Sequence, residues 1–348
     1  MKMTKLASAI VGLALLSGNV LADDLPNVSI LATGGTIAGS ASSATNAEYT
    51  AGKVMIDTLV NAVPQLKDIA DVKGEQIAST ASGNLTEQDW FKLANRINEL
   101  LAQDDTDGIV ITHGTDTIEE TAYFLNLVVK SDKPVVLVGA MRPSTAISAD
   151  GPLNLYNAVS LAGSESAKGK GVMVVLNDTI HGARGVTKTN TASVNTFESK
   201  NGGPLGYMSY GKPSWVRQSP YKHTYQTEFD ISDIKALPTV DIMYLYIETP
   251  AEAVDYYVKE RKVDGMVFAG SGNGSLTTPL QATMEQYSKQ LPFIRASRTG
   301  SGNTPDVSYY PEFPGSQGLS AQQARILLKL ALTETQDPKE VAEFFHKY

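Results

Sequence analysis

The sequence predicts an α/β protein: a larger N-terminal domain with a mainly parallel sheet flanked by helices, plus a smaller C-terminal α/β domain. Two observations carry this. From Val28 onward, short β-branched runs alternate with longer amphipathic segments, the pattern of a parallel sheet covered on both faces. Between Asn201 and Pro238 that periodicity fades while Gly, Pro, Ser and Tyr accumulate, and a shorter alternating set follows. The expected organisation is residues 1–22 as a signal peptide, 23–212 as the N-terminal domain, 213–238 as a linker and 239–348 as the C-terminal domain.

Residues 1–22 begin with Lys2 and Lys5, continue as the apolar run Leu6–Leu16 and end in Val20-Leu21-Ala22, the form of an export signal. The apolar run is too short to span a bilayer. With no cysteine there is no lipid attachment, disulfide, thiol catalysis or thiolate metal site. The expectation is a soluble periplasmic product with no membrane partner. Removing 22 residues leaves 326, takes away two lysines and no acids, and moves the formal charge from −8 to −10. A nucleic-acid partner, which needs a basic face, is excluded on that balance.

The first strand, Val28–Ala32, runs into Thr33-Gly34-Gly35-Thr36-Ile37-Ala38-Gly39. Lys53–Val63 has Val54, Ile56, Leu59, Val60 and Val63 at helical spacing before Pro64. A polar strand is expected over Val72–Ser79. Thr86, with Asp89 three residues on, marks a helix start, and Trp90, Leu93, Ile97 and Leu100 give that helix an inward face to about Ala102. The run Gly108–Ile111 is apolar throughout and ends in Thr112-His113-Gly114-Thr115-Asp116-Thr117, followed by a helix over Ile118–Val129. Pro134–Val138 is a further strand, Gly139–Gly151 a long loop, Pro152–Leu161 a helix and Gly171–Leu176 a strand. In the C-terminal part strands are expected at Ile242–Ile247, Gly265–Phe268 and Phe293–Ser297. Helices are expected at Pro250–Arg261, Leu276–Gln290, Ser320–Thr333 and Pro338–Phe345.

Two Thr-bearing turns at strand ends suggest one shared site, because strand, tight turn and helix aim backbone N–H groups and a helix's positive end at one point. Such a point holds a carboxylate or a developing oxyanion. Each feature also has a plainer reading. The Thr33–Thr36 stretch reads as a glycine turn, Thr115-Asp116 as helix caps, Lys188 as a solvated lysine and His113 as structural. No G-x-S-x-G, H-E-x-x-H or phosphate-binding loop occurs, Gly34-Gly35 does not fit a dinucleotide fingerprint, and the four histidines lack metal-ligand spacing. A threonine hydroxyl needs a base to become a nucleophile; Tyr49, in the same loop as Thr36, or a buried Lys188 near Thr115 and Asp116 would supply one.

The stretches ATGGTIAG (Ala32–Gly39), VITHGTDT (Val110–Thr117), VGAMRPST (Val138–Thr145), ADGPLNLYNAV (Ala149–Val159) and VTKTNT (Val186–Thr191) resemble bacterial L-asparaginases, of the exported homotetrameric type II, from about Leu25 to the C-terminus. The resemblance implies hydrolysis of L-asparagine through an acyl-enzyme on Thr36, activated by Tyr49. It implies a second catalytic group, Thr115, Asp116 and Lys188, that handles the proton and activates water. Thr36 and Thr115 N–H groups form the oxyanion hole, the Ala140 carbonyl faces the leaving amide, and Ser82 and Asp116 hold the α-carboxylate and α-amino group. No metal or organic cofactor is implied. Three positions depart from the family pattern. Gly83 stands where Gln or Glu contacts the α-amino group, which implies a changed balance between L-asparagine and L-glutamine, in either direction. Ser275 matches a residue lent by a neighbouring subunit, but the accompanying glutamate has no counterpart, with Asp306, Val307 and Glu312 in its neighbourhood. Ser131 occupies one position of a disulfide found in some relatives. The runner-up within the class is a glutaminase-asparaginase; outside it, a periplasmic amino-acid-binding protein is also exported and two-domain.

Overall fold

The structure is a computed structural model and describes residues 24–41, 49, 50, 52 and 55–348. The expected signal segment 1–22 and the expected helix start at Lys53 and Val54 lie outside these residues. Strand β1 (Asn27–Gly34) is followed by the two-residue strands β2 (Ser40–Ala41) and β3 (Tyr49–Thr50), which pair antiparallel. Helix α1 (Ile56–Asn61) is shorter than its pattern, and Pro64 opens a separate 3-10 turn after it. Then come β4 (Asp71–Thr80), α2 (Glu87–Leu101), β5 (Gly108–Thr112), α3 (Ile118–Val128), β6 (Val135–Val138) and α4 (Gly151–Ala162). The capping box of α2 forms as its residues imply: Asp89 N–H donates to the Thr86 hydroxyl and the Asp89 carboxylate accepts from Thr86 N–H.

Next are β7 (Val172–Leu176), β8 (Thr179–Gly182), the short antiparallel pair β9 (Thr187–Lys188) and β10 (Phe197–Glu198), and the hairpin β11 (Gly206–Ser209) with β12 (Lys212–Trp215). This hairpin occupies part of the stretch expected to be irregular, and β12 runs across residue 212. Its turn has positive φ at Tyr210 and Gly211, and the β7–β8 turn has positive φ at Asn177 and Asp178, so both are two-residue turns of the twist that suits hairpins.

The large sheet has the order β12-β11-β8-β7-β6-β5-β1-β4. Strands β4, β1, β5, β6 and β7 are parallel, while β8, β11 and β12 extend it antiparallel. Alternate residues of the parallel strands feed two cores. Leu31, Ile109, Ile111, Leu137 and Val174 face one; Ile30, Ala32, Val110, Val136 and Val175 face the other. Each buried Val, Leu or Ile side chain among them contributes roughly 1.5–3 kcal/mol, which is why these strands read as unbroken apolar runs.

The smaller sheet has β13 (Val240–Tyr244), β14 (Gly265–Gly270) and β15 (Phe293–Ser297), all parallel. The segment expected as one helix over Pro250–Arg261 is a single α turn, α5 (Ala253–Asp255), continued by a π-helix over Tyr256–Glu260. Helix α6 (Thr278–Glu285) ends earlier than expected, before turns at Gln286–Leu291. Helices α7 (Ala321–Glu334) and α8 (Pro338–Lys347) close the chain. Buried residues of α7, Ile326 to Leu332, share one core with α3 and with Val267, Ala269, Ile294 and Ala296 of the smaller sheet. Among the described residues no helix is long and apolar enough to cross a membrane.

Candidate active site

Sheet order brings the motif-bearing loops together. Ala32 pairs with Thr112, Thr112 with Val138 and Gly34 with Thr80, so the chain leaves β1, β4, β5 and β6 at the same end of the sheet. From β1 the chain passes first to β4 on one side and then to β5 on the other. The crevice at such a reversal is where open α/β sheets bind ligands.

Glycines set how closely these loops approach. A Cβ added at Gly35 would lie 2.3 Å from both Cα and N of Gly114, so the Thr36 and Thr115 turns touch backbone to backbone. A Cβ on Gly114 would lie 2.7 Å from Cβ and Oγ of Ser82. Gly35 also has φ of 79°, a conformation that glycine adopts without strain. Hydrogen bonds tie the same loops: the Thr33 hydroxyl donates to the Thr112 carbonyl at 2.9 Å and the Thr117 hydroxyl to the Ser82 carbonyl at 3.0 Å. Thr36, Ser82 and Thr115 are buried. The plain reading of Thr115 and Asp116 as caps does not hold: the residue before α3 is Thr117, and its hydroxyl serves Ser82 rather than the helix.

Lys188 arrives from β9, 72 residues beyond Asp116. Its Nζ donates to Thr115 Oγ1 at 2.9 Å and to Asp116 Oδ1 at 2.6 Å, and its side chain is 18% exposed. A hydroxyl, an ammonium and a carboxylate thus form one chain of charge-assisted bonds. Sequence reasoning missed the group that anchors the lysine's backbone: Glu119 accepts the Lys188 N–H at 2.8 Å. Burial raises the Glu119 carboxyl's pKa, against the opposing pull of the Lys188 N–H, the Thr187 hydroxyl and the Lys188 charge. The only signal in the sequence was an acid in the first turn of a helix.

Ala140 is fully buried in the turn after β6. Asp150 shapes that turn, its carboxylate accepting Met141 N–H and Arg142 N–H at 2.9 Å each. Asn154 donates to the Gly139 carbonyl at 3.1 Å, and Ser144 N–H and hydroxyl bind the Gly39 carbonyl, joining this loop to that of Thr36. His113 is fully buried. Its Nδ1 donates to the Gly114 carbonyl at 2.7 Å, and burial lowers its pKa to about 4.

Other expected residues stand apart from this cluster or outside the description. The Tyr49 side chain lies outside the described residues; its backbone pairs with Ala41. A Cβ on Gly83 would have no atom within 4 Å, so the space beside Ser82 is open. Ser275 is exposed in the turn Ser271–Ser275, its N–H bonded to the Ser271 carbonyl. Asp306 is engaged within the chain by Gly315 N–H at 2.7 Å and His346 Nε2 at 3.0 Å, Val307 packs on the C-terminal core, and Glu312 is exposed. Among the described residues no group of three His, Asp or Glu side chains is placed to hold a metal ion.

Comparison with known proteins agrees with this architecture. The family model "Asparaginase, N-terminal" matches residues 27–221, and "Glutaminase/Asparaginase C-terminal domain" matches residues 239–345. The chain is 52% identical to L-asparaginase 2 of Bacillus subtilis over 93% of this chain and 87% of that one. It is 50% identical to L-asparaginase 2 of Escherichia coli over 100% and 99%. The crystal structure of a probable cytoplasmic L-asparaginase from Campylobacter jejuni superposes with a TM-score of 0.90 at 47% identity, covering 93% of this chain and all of that one. The alternative of an amino-acid-binding protein is thereby set aside, and the chain belongs to the asparaginase family of amidohydrolases.

Proposed function

We propose that the protein hydrolyses L-asparagine to L-aspartate and ammonia through a threonine acyl-enzyme. The observation that carries this reading is the Thr115–Lys188–Asp116 chain of bonds, set against the Thr36 turn by the Gly35–Gly114 contact. In this reading the Thr36 oxygen attacks the side-chain amide carbon as its single proton passes through Tyr49 toward the departing nitrogen. The oxyanion is held by Thr36 and Thr115 N–H groups. The C–N bond breaks as nitrogen takes a proton and leaves as ammonia beneath the Ala140 carbonyl. Water then attacks the ester as its proton passes to Thr115, whose own proton moves to Lys188 while Lys188 gives one to Asp116 and so to solvent, and Thr36 leaves with a proton restored through Tyr49. Ser82 and Asp116 hold the substrate's α-carboxylate and α-amino group. Every proton moves between the chain's own residues, substrate and water.

Comparable turnover of L-glutamine is a second reading, favoured by the open space at Gly83. A homotetramer whose sites borrow Ser275 from a neighbour is part of the same proposal. Its support is the exposure of Ser275 together with exposed Tyr244, Tyr246 and Ile247 in the C-terminal half. Export to the periplasm rests on residues 1–22; fractionation of cells carrying the full chain tests it.

Ammonia release with asparagine, glutamine and no substrate is the direct assay. Thr36→Ala and Lys188→Met each lower kcat by at least about a thousandfold with an unchanged melting curve, the scale expected when a nucleophile or its base is removed. Substantial residual turnover in either removes its role. A light-scattering mass of one subunit in an active preparation rules out the shared site.

A further inference from the structure

A second cavity, of about 380 Å³, lies where the end of β8 and the loops between β8 and β11 and after β12 meet loops of the C-terminal half. Thr36, Thr115, Asp116 and Lys188 are not in its wall. Lys170, Arg184 and Arg217 are, and among the described residues no carboxylate lines it. Its volume is in the range of about 300–1,000 Å³ typical of small-molecule sites.

The three cations are held by neutral partners. Arg184 Nη2 donates to the Gln317 carbonyl at 2.9 Å and its guanidinium lies 3.5 Å from the Tyr221 ring centroid, while its Nε is buried without a hydrogen-bond partner. The ionisable groups that act on Arg184 are Tyr123 and Tyr221, both phenols, and burial lowers its pKa. Arg217 Nη1 donates to the carbonyls of Gly202 and Gly203 at 2.8 and 2.9 Å. Lys170 Nζ stands 4.9 Å from the Trp215 ring centroid. Burying the Arg184 guanidinium beside a carbonyl and a ring leaves its charge uncompensated, which costs free energy unless an anion joins it, and the half-buried Arg217 and Lys170 add positive charge to the same wall. The guanidinium groups are already positioned, so little further ordering is needed to grip one.

We propose that this cavity binds a small multivalent oxyanion, a phosphate or a dicarboxylate, held by Arg184, Arg217 and Lys170. The site stands whether or not the reaction proposed above is correct. Arg184 also lines the neighbouring cavity that contains Glu119 and Lys188, so the test must separate the two places.

Isothermal titration of the whole protein with inorganic phosphate, and separately with succinate, is run at constant ionic strength set by chloride. The expected result is saturable binding of at least one probe at one site per chain. Arg217→Gln and Lys170→Gln each weaken it roughly tenfold or more, the loss of one charge-assisted contact, and Lys188→Met leaves it unchanged. These two variants are chosen because Arg184 also props Gln317 and Tyr221; circular dichroism confirms their folding. Binding of only one probe identifies which anion class the site takes. No saturable heat from either probe, binding that survives both substitutions, or binding lost in Lys188→Met overturns the proposal.

Discussion

Replacing Gly35 by alanine tests the contact on which the proposed chemistry depends. The added Cβ would sit 2.3 Å from two backbone atoms of Gly114, whereas carbon atoms in contact are separated by about 3.5–4.0 Å. The two turns must part by more than about 1 Å, and no side-chain rotation relieves the overlap because both atoms are main chain. The backbone at φ 79° and ψ −171°, a region kept by glycine, adds about 1–3 kcal/mol for a residue with a Cβ, and forced overpacking about 1–3 kcal/mol. At roughly 2–4 °C per kcal/mol for a domain of about 150–250 residues, the combined cost of about 2–6 kcal/mol lowers the melting midpoint by about 4–24 °C. Activity falls further than stability does, because displacing one catalytic group by about 1 Å costs about a hundredfold in kcat/KM. Ammonia release and thermal unfolding are measured on the same preparation. Gly83→Ala is the control, since its Cβ meets nothing within 4 Å. A Gly35→Ala protein within threefold of wild-type kcat/KM would falsify the claim that the two turns form one site through this contact.

Asp150→Ala leaves Met141 and Arg142 N–H groups without their carboxylate; at about 1–3 kcal/mol for lost bonds of this kind, kcat drops by roughly ten- to a hundredfold, and Asp150→Asn recovers part of it. An unchanged kcat in Asp150→Ala separates the Ala140 turn from catalysis. Gly83→Gln restores a partner for the substrate's α-amino group, lowering KM for asparagine about tenfold and shifting the asparagine-to-glutamine ratio of kcat/KM; an unmoved ratio counts against the placement of Gly83. His113, with a native pKa of about 4 against an ordinary 6.5, is neutral in both folded and unfolded chains above pH 6.5. As pH falls from 6.5 toward 4 the unfolded chain takes up the proton first, so stability is lost across that window, by about 3 kcal/mol at the full shift. Urea midpoints at pH 7 and 4.5 measure the loss, and His113→Asn reduces it; an equal loss in the variant assigns the effect elsewhere, with His181, also near 4, the next group to replace.

What could be read in advance divides by how far apart the interacting residues lie in the chain. The α2 capping box, the apolar β5 run and β15 over Phe293–Ser297 are set by neighbours, and they occur where the pattern put them. Strand β8 and the two strands of the β11–β12 hairpin escaped notice because each is only four residues long, and because their turns use Asn177-Asp178 and Tyr210-Gly211 rather than the commonest turn pairs. The π-helix after α5 escaped for another reason: a helical hydrophobic repeat carries no mark of a change in hydrogen-bond register. The site divides in the same way. Thr36, Thr115, Asp116 and Lys188 were visible as motifs, but a motif says which residues to suspect and nothing about what they touch. Their junction depends on β1 lying between β4 and β5, a fact of strand order that no window of sequence contains. Glu119 and Asp150 act across the fold or on backbone N–H groups, so neither leaves a signature beyond an acid near a helix start. If the junction is what makes the chemistry, a substitution that keeps every proposed catalytic side chain yet separates the turns lowers kcat/KM about a hundredfold. Gly35→Ala is such a substitution.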